Sequence, residues 1–337
     1  MTRGYVAAVC NVRGSGDSPG YLDPFSAQEQ HDNYDLIEWL ARQRWATGRV
    51  GQMGVSYGGH SSLLVAVNKP PHLAAIIPVD GISDWYENTI YRGGMVENFQ
   101  ACKENVWLVA GPWQHGMPAG QYADIGTGAF LAWWDHWLAR RPAPLPAKEV
   151  TTFETPTGGW AQYDDWPPLA ARTRKLALSG DGGLAPGQAR PFRAAYTVNT
   201  EPAPGTPEER LVFRTDPLGT DLVLAGVITA TVRTTFSAAD GNLAVVVSDV
   251  APAGTATRIT QGWLKASHRA GHERPAQVRP GVAYDLRVQA WPAHYRIAAG
   301  HRLEVTVASD DYPEIDSDAP AGKVILTRGA VTLTVLS

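Results

Sequence analysis

One serine in this 337-residue chain stands where a hydroxyl could become a nucleophile. Gly54-Val55-Ser56-Tyr57-Gly58 follows an apolar run at 50–55 and opens a small-residue helix predicted over 58–67. A sharp strand-to-helix turn lifts a serine hydroxyl clear of a sheet, and flanking glycines let the two backbones approach closely. The backbone N–H of Tyr57 would then face the position of a developing oxyanion, helped by the positive end of the helix. The pentapeptide is short enough to arise by chance, so its placement between strand and helix carries the weight.

A serine hydroxyl needs a base within hydrogen-bond reach. His115 fits, in Gly111-Pro112-Trp113-Gln114-His115-Gly116, just past an apolar run at 106–110. His60 is expected to pack on the helix after the serine, and His31, His72 and His136 read as surface or helix-face residues. No HExxH or HxxEH helix, Walker loop or GxGxxG element is present, so neither a cofactor nor a metal is expected.

Two kinds of periodicity position these residues. Up to about residue 140, short apolar runs at 5–12, 50–55, 74–79 and 106–110 alternate with helical stretches. One of these stretches, 29–44, puts Tyr34, Ile37, Leu40 and Ala41 on one face. That alternation predicts buried strands in a mostly parallel sheet with helices on both faces. Trp133, Trp134 and Trp137 end a further helix and are expected to pack against the second domain. Beyond the Pro-rich stretch 142–146 the period becomes two: Leu303, Val305 and Val307 alternate with polar residues, as do Val331, Leu333 and Val335, and Tyr284, Leu286 and Val288. A two-sheet antiparallel sandwich follows. The predicted fold class is therefore α/β plus all-β, with domains at 1–141 and 142–337. Asp310 and Asp311 read as a solvated turn rather than a calcium site.

At this level of detail the chain resembles the cocaine-esterase/X-Pro dipeptidyl-peptidase (CocE/NonD) family of α/β-hydrolases. Residues 11–20, NVRGSGDSPG, are similar to that family's RGxG loop. Residues 45–59 resemble its nucleophile region, and 111–116, GPWQHG, its histidine loop. Residues 260–267, TQGWLKAS, are similar to a signature of its C-terminal, galactose-binding-like jelly roll, as are 299–303 and 309–313. The resemblance implies a partial α/β-hydrolase sheet followed by a jelly-roll β-sandwich. It also implies hydrolysis of a small ester or an X-Pro peptide, with Ser56 attacking the carbonyl and His115 relaying the proton.

The resemblance also implies parts that this sequence does not match. Relatives carry strands before the RGxG loop, and a tyrosine hydroxyl from that region completes their oxyanion hole; here Tyr57 offers its backbone N–H alone. A helical cap and a strand carrying the catalytic aspartate follow in the family, whereas here 91–95 runs directly into 96–100, similar to the helix after that aspartate. The expectation is an incomplete catalytic sheet whose open edges would need new pairing, a second copy or a complementing chain. The acid is unassigned. Asp80 and Asp84 read as ordinary residues of the loop after 74–79, Asp124 as a helix-start carboxylate, and Glu97 and Glu104 as no better placed. An alternative reading is a catalytically inactive remnant whose sandwich serves binding or assembly.

Composition narrows the rest. With 44% hydrophobic and 18% charged residues and a net charge of −4, the chain has the balance of a globular protein and no basic block to suggest nucleic acid. No run approaches the ~18 apolar residues of a membrane span, and 1–9 reads as a buried strand rather than a signal peptide. Cys10 and Cys102 are expected to be structural thiols, and the cytoplasm is the expected compartment.

Overall fold

The computed structural model describes residues 3–82, 95–102, 104–113, 115–199, 209–315 and 317–336. The chain divides into two compact units, the first holding 1–88, 97–105 and 111–147, the second 89–96, 106–110 and 148–337.

The first unit begins with an extended segment and the RGxG loop, then α1 (Ala27–Ala41), β1 (Val50–Val55), α2 (Tyr57–Val67) and β2 (Leu73–Val79). α3 (Met95–Ala101) and α4 (Gly126–Trp137) follow. Ser26 caps α1, its Oγ accepting from the Glu29 N–H at 3.2 Å, while Glu29 accepts from the Phe25 N–H at 2.9 Å. This reciprocal capping is written in the sequence as Ser-x-x-Glu. α1 buries Ile37 and Ala41, and its Glu38 accepts from both the backbone N–H and the ring Nδ1 of His72, fastening the helix to the start of β2.

β1 and β2 pair in parallel, ending with Val55 opposite Val79, and among the described residues they form a two-stranded sheet. Nearly all their positions are half-buried, where fully buried strands were expected. Two strands have too few neighbours to be covered on both faces. The run 5–12 forms no strand at all and lies exposed, with Val9 96% accessible. A strand exists only as a paired ladder, and no described strand pairs with it. Its anchor is instead polar, the Tyr5 hydroxyl donating to Asp135 of α4 at 2.6 Å. Cys10 and Cys102 are likewise exposed free thiols rather than packed ones. Trp134 of α4 packs on Gly51 of β1, within the first unit.

In the second unit, β3 (Leu108–Ala110), β4 (Val150–Phe153) and β5 (Trp160–Tyr163) form a small sheet in which β3 runs parallel to β4. The 106–110 run therefore pairs with strands beyond the Pro-rich stretch instead of extending β1 and β2. The sandwich then uses β6 (Arg172–Leu178), β7 (Leu184–Pro186), β8 (Ala194–Val198), β9 (Leu211–Arg214), β10 (Leu222–Phe236), β11 (Asn242–Val250), β12 (Ala256–Lys265), β13 (Ala283–Ile297), β14 (Arg302–Ala308) and β15 (Gly322–Leu336). One sheet runs β13-β10-β15-β6-β7 with β8 also on β15; the other runs β12-β11-β14-β9. The expected alternation supplies the core: Leu286, Val288, Leu303, Val305, Val307, Val331 and Leu333 are almost wholly buried between the sheets.

On β14 the polar alternates are buried too, because Glu304 is covered by Arg214 of β9, whose Nε donates at 2.5 Å. Asp311 also departs from expectation. It is buried and takes two hydrogen bonds from the Arg258 guanidinium, at 2.7 and 3.0 Å, so it is a paired carboxylate rather than a solvated turn residue. Burial raises its carboxyl pKa, and the Arg258 bonds oppose that shift.

Candidate active site

Ser56 occupies the turn between β1 and α2 with φ 56° and ψ −114°, a backbone region that non-glycine residues seldom adopt. Strain of this kind costs about 1–3 kcal/mol and persists where the surroundings dictate it. Here the surroundings are the glycines and β2. A Cβ on Gly54 would lie 2.4 Å from the carbonyl carbon of Gly58, and one on Gly59 would lie 2.5 Å from the Val79 oxygen. Glycine is thus required at 54 and 59, while a Cβ at Gly58 would meet nothing within 4 Å.

The Ser56 N–H donates to Val79 at 2.9 Å, and the His60 N–H donates to the Ser56 carbonyl at 2.9 Å, opening α2. Tyr57, one residue on, sits at the first position of α2, where backbone N–H groups have no partner within the helix. Its side chain points elsewhere: the hydroxyl donates to Glu29 at 2.5 Å, and the ring stacks on Phe25 with centroids 4.4 Å apart. Burial, followed by the Glu29 carboxylate, pushes the Tyr57 hydroxyl pKa well above its ordinary value. Glu29 also accepts from Ser61 on α2. α1 and α2 are therefore held together by a buried carboxylate.

His115 lies in an exposed loop whose shape is set by Trp113, the indole N–H of which donates to the Ala123 carbonyl at 3.1 Å. The His115 Nδ1 is in direct contact with the Asp80 carboxylate. Asp80 follows β2 immediately, so the aspartate and Ser56 occupy equivalent places at the carboxyl ends of two adjacent parallel strands. Ligands and catalytic groups in open α/β sheets gather at that edge. Among the described residues Ser56 Oγ has no hydrogen-bond partner, so Ser56 and His115 share an edge without a bond between them.

Asp80 thus departs from its sequence reading as an ordinary loop residue. Nothing local distinguishes it, since its partner is 35 positions away. Asp84 lies outside the described residues. Asp124 is where expected, two residues before α4, and its carboxyl accepts from the Gly126 N–H at 2.6 Å. Backbone hydrogen bonds from Gly120 and Gly126 hold its pKa down. Glu97 sits in the first turn of α3, and Glu104 is exposed in the turn that follows. His60 is buried on α2 as expected, edge-on to Phe25, and its Nδ1–H donates to the Ile82 carbonyl. Among the described residues no cluster of side chains suits a metal ion, and no helix is long and apolar enough to cross a membrane.

Residues 1–98 match the X-Pro dipeptidyl-peptidase (S15) family, and 144–334 match the X-Pro dipeptidyl-peptidase C-terminal non-catalytic domain. A CocE/NonD family hydrolase from Staphylococcus aureus superposes with a TM-score of 0.84 at 17% identity, over 96% of this chain and 79% of that one. An aminopeptidase from a marine-sediment Thaumarchaeota archaeon gives 0.80 at 18% identity, over 97% and 78%. The cocaine esterase of a Rhodococcus species is 23% identical over 72% of this chain and 50% of its own.

Proposed function

We propose, from the premise that this chain belongs to the CocE/NonD family of hydrolases, that Ser56 and His115 hydrolyse a small ester or amide through an acyl-enzyme. The family is one of serine hydrolases of the X-Pro dipeptidyl-peptidase and esterase type. The observation that carries the reading is the strained conformation of Ser56, φ 56° and ψ −114°, between β1 and α2. Strained backbone of this kind clusters at active sites, and a sharp strand-to-helix turn is what presents a nucleophilic serine.

In this reading Ser56 Oγ attacks the substrate carbonyl carbon while the His115 Nε2 takes the hydroxyl proton. The tetrahedral oxyanion is met by the Tyr57 backbone N–H at the head of α2. The bond to the leaving alcohol or amine then breaks, and the proton on His115 passes to that group. Water, deprotonated by the same ring, releases the acid and restores Ser56. With the Nδ1 side occupied by Asp80, Nε2 is the nitrogen open to this exchange. For that exchange the His115 Nε2 must come within hydrogen-bond reach of the Ser56 Oγ.

The test is a stopped-flow measurement with p-nitrophenyl acetate. A stoichiometric burst of p-nitrophenolate followed by slower turnover is expected, and Ser56→Ala abolishes it. Folded protein without a burst, or a burst that survives in Ser56→Ala, overturns the reading in favour of a catalytically inactive protein whose sandwich serves binding or assembly.

A further inference from the structure

We propose that Asp80 is the positioning carboxylate for His115, standing at the end of β2 in place of an aspartate on a separate strand. The inference rests on the Ser56–His115 reading and deepens it. Its first support is the contact itself, the Asp80 carboxylate against the His115 Nδ1. Among the described residues Asp80 has no other ion-pair partner, and neither does His115.

The second support is how firmly Asp80 is held beside the nucleophile. The residue before it, Val79, accepts from the Ser56 N–H. The residue after it, Gly81, lies so close to α2 that a Cβ there would be 3.0 Å from the Gly59 carbonyl carbon. The next, Ile82, takes a hydrogen bond from the buried His60 ring. Residues 79–82 are therefore clamped onto the first turn of α2 on both sides of the aspartate. Asp80 itself has φ 51°, a left-handed conformation that aspartate and asparagine tolerate better than other side chains. A strained carboxylate fixed next to a strained serine, and touching His115, is placed for this role.

The chemistry needs no further component. Asp80 accepts the Nδ1–H of His115 and keeps the ring in the tautomer that leaves a lone pair on Nε2 to take the serine proton. When Nε2 receives the serine proton, the carboxylate stabilises the resulting imidazolium without being protonated. The proton leaves from Nε2 to the leaving group.

The experiment compares the full chain with Asp80→Asn and Asp80→Glu. Asparagine suits the left-handed backbone, so melting and circular dichroism should not change. Expected is a fall in kcat on the order of 10²–10⁴-fold in Asp80→Asn with KM within about threefold, and partial recovery in Asp80→Glu. Nitrogen-15 NMR of the His115 ring should show the Nδ1–H tautomer in the parent and its loss in Asp80→Asn. A parent burst left unchanged by Asp80→Asn, or an Nε2–H ring in the parent, overturns the role of Asp80 alone. A parent without any burst overturns the hydrolase reading and this role with it.

Discussion

The Ser56 N–H donates to the Val79 carbonyl at 2.9 Å, and that bond sets the bend of β1 directly beside the residue that ends β2. It joins the Ser56 turn to the aspartate that touches His115. The site is therefore a property of two strand ends and two loops, and its geometry depends on backbone contacts that side-chain substitutions can probe one at a time.

The glycines of the elbow should separate cleanly. Gly59→Ala drives a methyl into the Val79 oxygen and should destabilise the chain by about 1–3 kcal/mol, reading as a lower urea midpoint. Gly58→Ala meets open space inside a helix and should be neutral or stabilising by up to about 1 kcal/mol. Equal effects at the two positions would contradict the close approach of α2 to β2.

Glu29 is buried among donors from Phe25, Tyr57 and Ser61. Tyr57→Phe removes the shortest of these and should cost about 1–3 kcal/mol, since a buried carboxylate loses a partner. Urea unfolding of Tyr57→Phe beside the parent measures it, and an unchanged midpoint would show that the bond contributes nothing.

His294 gives the sandwich unit a pH dependence of known sign. Its ring is buried beside Tyr163, Trp166 and Glu154, and burial lowers its pKa, with Glu154 opposing and Arg296 reinforcing. The neutral ring's contribution is complete above the unfolded value of about 6.5. As pH falls from there through the lowered folded value, the unfolded chain takes up the proton first and stability is lost. Glu154, whose pKa is lowered chiefly by its Arg296 hydrogen bond, acts in a separate window below about 4.5. Urea midpoints should drop between pH 7.5 and 5.5, and His294→Gln should flatten that part of the curve. A slope that survives in His294→Gln would assign it to another group.

Asp311 and Arg258 form a pair in which one partner is buried and the other partly exposed. Arg258→Met removes the carboxylate's cationic partner and should destabilise by about 2–4 kcal/mol, less than for a wholly buried pair. Adding Asp311→Leu should restore most of the loss, as thermal unfolding of both variants would show.

The sequence was most readable where a signal is local. The apolar run 50–55, the Gly-Val-Ser-Tyr-Gly turn and the helix behind it correspond to β1, Ser56 and α2 within one residue. The alternation at 284–288, 303–307 and 331–335 located sandwich strands, because the period of two follows from one face meeting the core. The run 5–12 shows the limit: its residues suit a strand, but a ladder needs a neighbour, and composition cannot supply one. Likewise the packing of Trp134 on Gly51 depended on which surface lay nearest. Asp80 was illegible for the same reason, its meaning residing in a contact with a histidine from a distant loop.

The most direct measurement of the central claim is peptide mapping by mass spectrometry after treating the folded chain with a fluorophosphonate. A single adduct on Ser56, strongly diminished in His115→Ala, is the expected result. Folded protein that stays unmodified, or carries the phosphonate on another residue, would contradict it.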